Sequence, residues 1–430
     1  MPILPPRLGF KMMSNAPTFF RDFATNKTLD HGFGPSITFT RTGTATYFDS
    51  NGTLTTATAN TPRFDHDPVT LASRGLLIEE GRTNSIANSQ CTGAVAGTAG
   101  TAPTGWSISG NANGLTRTIA TGSINGFSYI DVTFSGTVTG GPINIALEPQ
   151  STNAGYTAGS GQTWTGSFYT SILSGSIPSG ASFALITRGR KSDNTASEDG
   201  TLVIAPTASL TRYSVTRTLN SADTARVTLD IRVNSVPNGA SVNFTLRIAA
   251  PQLEQGAFAT SYIPTTSAAV ARGADVASVT SASATLNSNE GTLFYEGSRY
   301  VVPTSNYGVD FLRLSGSGSS AITLQSGFAI PAQQRLLVID SSNVTVVNCF
   351  FESAIANTVY RLAGVYRVND FIAYQNGVAS ASGTSGSGWA SLDTIRIGYN
   401  GSAGQINGHI RKVGYWPRRL SNANLQAMTA

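Results

Sequence analysis

Any chemistry in this chain would have to come from few residues. There are 23 acidic side chains in 430 positions and only three histidines, His31, His66 and His409. Imidazoles so far apart leave no motif with the spacing of a histidine-based metal site. Arginine, carboxylates and imidazole adjoin in Arg63-Phe64-Asp65-His66-Asp67, the residue types of proton transfer. With no second catalytic group beside it, the cluster defines no reaction. It reads as a polar structural knot in which Arg63 pairs a carboxylate and Pro68 ends the run. Asp49-Ser50-Asn51-Gly52 has the spacing of half a calcium loop, but no closing glutamate follows, so it reads as a turn. Glu79 and Glu80 are adjacent, and on a strand their carboxylates face opposite ways, so they cannot serve as a glycosidase acid and base. No G-x-S-x-G elbow occurs, and Ser315-Gly316-Ser317-Gly318 reads as a flexible loop. Neither catalysis nor a metal or cofactor is expected.

Recognition is the other chemistry open to such a chain. Aromatic faces match the apolar face of a pyranose ring, and Asn, Asp and Arg reach its hydroxyls. The candidates are Trp106, Tyr156, Trp164 and Tyr169 in one half, and Tyr307, Tyr374, Trp389 and Tyr399 in the other. Each also suits core or loop packing. Trp389 follows the glycine- and serine-rich run Ser382–Gly388, which offers it few packing partners, and Tyr374 stands beside the Asn376-Gly377 turn. Carbohydrate contact is therefore expected at Trp389, Tyr374, Tyr399 and Trp164.

The elements that must position these residues are strands. Blocks of helix formers at helical spacing are nearly absent, while Thr, Val, Ile and Tyr recur in short runs broken by Gly and Asn. In Arg226–Asn234 the residues Val227, Leu229, Ile231 and Val233 alternate with Arg226, Thr228, Asp230, Arg232 and Asn234. Val242, Phe244, Leu246 and Ile248 repeat the pattern. Each such strand puts one face on a core and one in water, and several at short spacing predict a sandwich. Ile37–Arg41 reads as a strand followed by the Asp49–Gly52 turn and Leu54. Asn376-Gly377 reads as a two-residue hairpin turn. Leu420–Met428 is the one convincing helix, with Ser421 as its N-cap and Leu425 and Met428 on its buried side. Before Ile37 there is little periodicity beyond Phe19-Phe20 and Phe23, so little independent fold is expected there.

Composition narrows the class further. The formal charge is +5, but the basic residues are scattered singly, which argues against a nucleic-acid partner. Of the 28 basic residues 24 are Arg, whose forks suit carboxylates and sulfates on acidic glycans. A GC-rich genome would give the same bias. Cys91 and Cys349 fall in different halves and form no disulfide framework. The start, Met1-Pro2-Ile3-Leu4-Pro5-Pro6, lacks the apolar core of a signal peptide, and no apolar run is long enough for a spanning helix. No membrane insertion is expected.

A family resemblance adds to this reading. Ile37-Thr38-Phe39-Thr40-Arg41, Thr44–Tyr47, Ala59–Asp65, Asp67–Thr70 and Gly75–Asn84 resemble the head spike fibre domain of tailed phages, prophages and phage-like gene transfer particles. Pro251–Thr265 resembles the segment that closes the jelly roll in those proteins, so the likeness spans roughly residues 35 to 275. The C-terminal region resembles a concanavalin A-like, laminin G-type sandwich at Ala363–Tyr366, the Tyr374–Gly377 hairpin, Ile395–Gly398 and Ile406–Trp416. Calcium-binding members of that type carry rim carboxylates. Here Asp310, Asp340, Asp370 and Asp393 are isolated, so no metal is carried over.

The expectation is an all-β chain with two β-sandwich domains of jelly-roll type in tandem. Residues 1–84 would be a virion attachment segment, 85–275 a carbohydrate-binding-module-like jelly roll, and 288–430 a concanavalin A-like sandwich. The resemblance implies a non-enzymatic bacteriophage structural protein, a head spike or fibre or a tail fibre, exposed on the particle after release by lysis. Its expected partners are other virion proteins, capsid or tail, through the N-terminal segment, and host cell-surface polysaccharide through the sandwiches. A homo-oligomer is expected, a trimer rather than a dimer, because spikes gain avidity by presenting weak sites together. A polysaccharide depolymerase or lyase, and an architectural decoration protein without ligand, are the alternatives.

Overall fold

Alternation of apolar and polar residues builds nearly all of this chain. The computed structural model describes residues 16–109, 114–147, 155–301, 308–316, 318–326, 333–353, 355–401 and 404–430. Its sheets are antiparallel and form β-sandwiches, with a short C-terminal helix, Asn422–Thr429, and a single helical turn at Phe23–Asn26. The chain divides into two units. One is discontinuous in sequence and is built from residues up to 52, 57–80 and 273–430. The other comprises 53–56 and 81–272.

The 81–272 unit is a sandwich of two sheets. The first runs Thr211–Thr218, Thr163–Gly175, Ser241–Gln255, Phe127–Thr137, Leu115–Ile124 and Gly97–Thr98. The second runs Ser107–Ile108, Ile143–Ala146, Arg226–Asn234, Ser182–Arg190 and Ala196–Ile204, with Tyr156–Thr157 beside Arg226–Asn234. Phe134, Phe168, Phe244, Leu246, Leu229 and Ile231 meet between them with no exposed surface. Burial on that scale contributes about 1.5–3 kcal/mol for each large apolar side chain. Where the chain enters and leaves, Arg82–Asn84 pairs with Val270–Arg272, closing the unit at its own ends.

The discontinuous unit corrects the expected boundaries. Phe19–Asp22 and Ser73–Ile78 both pair with Gly408–Trp416, and Thr38–Thr40 pairs with Val276–Val279. Phe19, Phe23, Phe39, Leu76 and Ile78 share one core with Leu312, Leu336, Ile395 and Ile410. Residues 16–52 and 57–80 thus belong to the C-terminal sandwich rather than to a segment apart from it, and residues 1–15 of the expected attachment segment lie outside the described residues. The physical reason is that strand ladders pair across any sequence distance. Periodicity reveals a strand without naming its partner. Arg21 shows how firmly the early segment is held. Its buried guanidinium donates to the carbonyls of Leu29 (2.5 Å) and Pro35 (2.6 Å), reinforcing the pairing of Gly32–Phe33 with Phe20 and Arg21.

Local expectations fare well where chemistry is local. Asn376 and Gly377 take positive φ (48° and 81°) between Asp370–Gln375 and Val378–Ala379, the conformation a two-residue hairpin requires. Ser421 Oγ accepts from the Asn424 N–H at 3.3 Å at the start of the last helix. Leu425 is buried with Phe294, Ala363, Val365 and Trp416 on the outside of one sheet. Asp49 Oδ1 accepts from the Asn51 N–H at 2.9 Å, making that segment a turn.

Candidate glycan-binding face

The first sheet of the 81–272 unit has a polar outer face, and its residues follow from the alternation that builds the core. Ile130, Val132 and Phe134 point inward, so Tyr129, Asp131, Thr133 and Ser135 point out. On the neighbouring strand Phe244, Leu246 and Ile248 point inward, so Asn243, Thr245 and Arg247 point out. Register then sets rungs: Asp131 faces Arg247, Thr133 faces Thr245, and Ser135 faces Asn243. A turn of Asn125 (φ 47°) and Gly126 (φ 82°) fixes the register of the adjoining hairpin and places Gly122 opposite Tyr129.

Three interactions organise the face. Arg247 forks onto Asp131, Nε to Oδ1 at 2.8 Å and Nη2 to Oδ2 at 2.9 Å. That hydrogen bonding, opposed by burial, holds the guanidinium above its ordinary pKa. The same guanidinium lies 3.6 Å from the centroid of the Tyr129 ring, which it clamps by cation–π attraction. The ring leans over Gly122, where a Cβ would come within 2.4 Å of the Tyr129 hydroxyl, so only glycine leaves it room. Beside this group runs a hydroxyl relay, Ser174 Oγ to Thr245 Oγ1 at 3.0 Å and Thr245 to Thr133 at 2.8 Å. Thr116, Ala120, Gly122, Ser174 and Asn243 are exposed, and Tyr129, Thr133 and Thr245 half-buried. A held aromatic ring beside a charge-assisted fork and a row of hydroxyls is the equipment for binding a polyhydroxylated chain.

The aromatic residues expected from sequence do not gather here, and most are buried. Trp389 is half-buried: its Nε1–H donates to the Ser288 carbonyl at 2.5 Å, and its ring meets Tyr366 and Phe371 edge-on at 6.0 and 5.8 Å. The indole has folded back onto the sandwich because apolar area and a carbonyl were within reach. Tyr374 lies in the core beneath the C-terminal helix. Tyr399 is buried beside its bridge to Gln405, and Trp164 is a core residue whose Nε1–H reaches Gln162 at 3.2 Å. As exposed sugar platforms Tyr374, Tyr399 and Trp164 are corrected, while Trp389 keeps part of its indole in solvent. Trp106 is buried with its Nε1–H on the Asn88 carbonyl. Tyr169 packs on Phe127, and Tyr156 is half-buried against its sandwich core. Tyr307 lies outside the described residues.

The polar cluster at 63–67 is structural chemistry. Arg63 lies between Glu79 at 2.8 Å and Asp275, with Arg41 on the other oxygen of Asp275 at 3.2 Å, and all four side chains have no exposed surface. Burial opposes the Arg63 charge, but Asp275 and Glu79 outweigh it and hold its pKa above the ordinary range. Asp65 accepts from the Phe48 N–H at 2.7 Å and meets His409 Nε2 at 2.8 Å. Asp67 caps its turn through the Val69 and Thr70 N–H groups. Cys91 and Cys349 are buried free thiols, and burial pushes the Cys91 thiol up to about 12. Among the described residues no three His, Cys, Asp or Glu gather as a metal site would require.

No family model matches the chain, and no curated protein matches it. Solved structures do. Domain 4 of AbnA, a GH43 extracellular arabinanase from Geobacillus stearothermophilus in complex with arabinotriose, aligns at 13% identity over 40% of this chain and 82% of that one, with a TM-score of 0.31. Trypanosoma rangeli sialidase aligns at 13% over 73% of this chain and 65% of that one, TM-score 0.29. Domains LG4-5 of the mouse laminin α1 chain align at 10% over 65% and 90%, TM-score 0.23. The similarity is distant, concerns the β-sandwich fold alone, and assigns no family.

Proposed function

We propose that this chain is a non-catalytic adhesion protein of a phage particle, a head spike or fibre or a tail fibre, which holds host surface polysaccharide on its sandwiches. The observation that supports it most is the outer face of Tyr129, Asp131, Arg247, Thr133 and Thr245. There an aromatic ring is locked by a guanidinium and flanked by hydroxyls on rigid strands. The phage assignment rests on the sequence strings at 37–84 and 251–265. Several of their polar members, Arg41, Arg63, Glu79, Asn84, Gln252 and Glu254, are buried, so the strings carry a shared way of folding rather than a reaction. Virion partners engaged through the N-terminal residues and assembly as a trimer belong to the same proposal. A depolymerase would most readily use His409, Asp65 and Tyr300, where imidazole, carboxylate and phenol meet. Asp65 and His409 are buried there, which favours adhesion.

The test is binding of labelled protein to host cells with and without their capsule, alongside an assay for new reducing ends or unsaturated products. Capsule-dependent binding without product is expected. Product formation would transfer the proposal to the enzyme. Absence of binding to any glycan would leave a decoration role.

A further inference from the structure

One arginine of the discontinuous unit lies on the core side of its strand. In Glu290–Arg299, Leu293 and Tyr295 belong to the core, and Gly297 and Arg299 follow at the spacing of two that keeps one face. Arg299 is 5% exposed. Its Nε–H donates to the Ile406 carbonyl at 3.2 Å, while the buried Nη1 has no acceptor. Among the described residues no carboxylate pairs with it. Burial brings its pKa down to about 10, opposed by the Tyr295 hydroxyl alone. The guanidinium is therefore still charged at neutral pH, and it has no counter-ion.

A cavity of about 10 Å³ adjoins this side chain. Tyr295, Gly297, Phe311 and Gln334 complete its wall, and the exposed Ile355 stands at its rim. Phe311 stacks on the Tyr295 ring at 4.4 Å and holds it in place. Gly297 leaves the phenol its room, since a Cβ there would fall 2.4 Å from the Tyr295 hydroxyl. That hydroxyl also has no partner. Burial pushes its pKa up, so it keeps its proton and is a donor. Gln334 Oε1 is unpartnered too, and a half-turn of its amide offers an N–H in place of the oxygen. Buried polar groups are ordinarily paired, and here three that are not line one space. The space is too small for a sugar or an oxyanion. A water would satisfy hydrogen bonds there, but it would leave the buried charge uncompensated.

We infer that Arg299 and Tyr295 bind a single halide ion, chloride or bromide, in this cavity. Arg299 Nη1 supplies the charge-assisted donor and the Tyr295 hydroxyl a second. The Arg299 carbonyl accepts from the Asn357 N–H at 2.6 Å, so an ion held here also steadies the turn at 355–358. The site is independent of the adhesion reading.

Melting of the full chain would be followed in sodium chloride, sodium bromide and sodium gluconate at equal ionic strength. Crystals grown in bromide would be searched for anomalous scattering in the cavity. The melting temperature is expected to rise with the logarithm of halide concentration above the gluconate baseline. A bromide peak is expected within hydrogen-bond reach of Arg299 Nη1 and the Tyr295 hydroxyl. Arg299→Met should erase the difference between halide and gluconate. Tyr295→Phe, which keeps the ring on Phe311, should raise the halide concentration required by about tenfold or more. It carries the test if Arg299→Met fails to fold. A cavity without bromide signal, with equal melting in the three salts, would leave a buried water only and overturn the site. A halide effect that the variants keep unchanged would overturn it as well, since the ion would then act elsewhere.

Discussion

Arg63 and Asp275, 212 positions apart in sequence, form an ion pair with no exposed surface, and Arg41 shares the same carboxylate. Around it the Glu79 N–H donates to Asp275 and the Asp275 N–H donates to the Glu79 carbonyl, both at 2.9 Å. One buried knot thus ties three early segments to the start of the C-terminal part of the discontinuous sandwich.

Asp275→Asn should be among the most damaging substitutions in the chain. It removes the carboxylate that two buried guanidiniums share, and breaking one partner of a buried pair costs about 3–5 kcal/mol. Chemical denaturation should show the midpoint falling without a change of slope.

A chain beginning at Ser85 is expected to lose the discontinuous sandwich. It lacks the strands at 19–22, 38–40 and 73–78 and leaves Asp275 buried without Arg41 or Arg63. Residues 81–272 alone, closed by their own terminal strand pair, should still melt cooperatively. Calorimetry of the two fragments checks this. A cooperative transition from the 273–430 part of the Ser85 chain would count against it.

Tyr129→Ala and Trp389→Ala should separate binding from stability. The first is expected to weaken glycan binding by about 1–3 kcal/mol with little change in melting, since a half-buried surface ring leaves no enclosed cavity. The second should destabilise through its lost contacts with Tyr366 and Phe371 and leave affinity per folded molecule unchanged. Gly122→Val should mimic Tyr129→Ala by displacing the ring.

Acid should loosen the Ala196–Ile204 edge of the 81–272 unit through Glu198. Burial raises its pKa, but the Asn220 and Ser221 N–H groups, Arg217 and Thr224 outweigh that and bring it down to about 2. A carboxylate depressed in the folded state contributes stability that is present above its ordinary pKa near 4.5 and lost as pH falls through about 2. Melting curves of wild type and Glu198→Gln should therefore differ most above pH 5 and converge toward pH 2. A difference that persists at pH 2 would point to lost packing instead.

Much of this protein is legible one residue at a time. Alternation in 226–234 and 242–248 gives strands and their core-facing residues, Asn376-Gly377 gives a hairpin, and Ser421 gives a helix start, because each depends on neighbours within a few positions. The other side of 226–234 is not in water, since Thr228 and Asp230 are buried. The same alternation marks Asn243, Thr245 and Arg247 as outward, so the members of that face are readable even though their assembly is not. The partners are what tertiary structure decided. That Phe19–Asp22 lies against Gly408–Trp416, that Arg63 meets Asp275, and that Asp131 faces Arg247 are matters of ladder register between distant strands. Trp389 went the same way: a glycine-rich run says nothing of the Ser288 carbonyl and the Phe371 ring that a hundred-residue closure brings to the indole. Local sequence sets which way a side chain points. What it meets there is set by chain segments whose approach depends on the free energy of the whole core, which no short window of sequence contains.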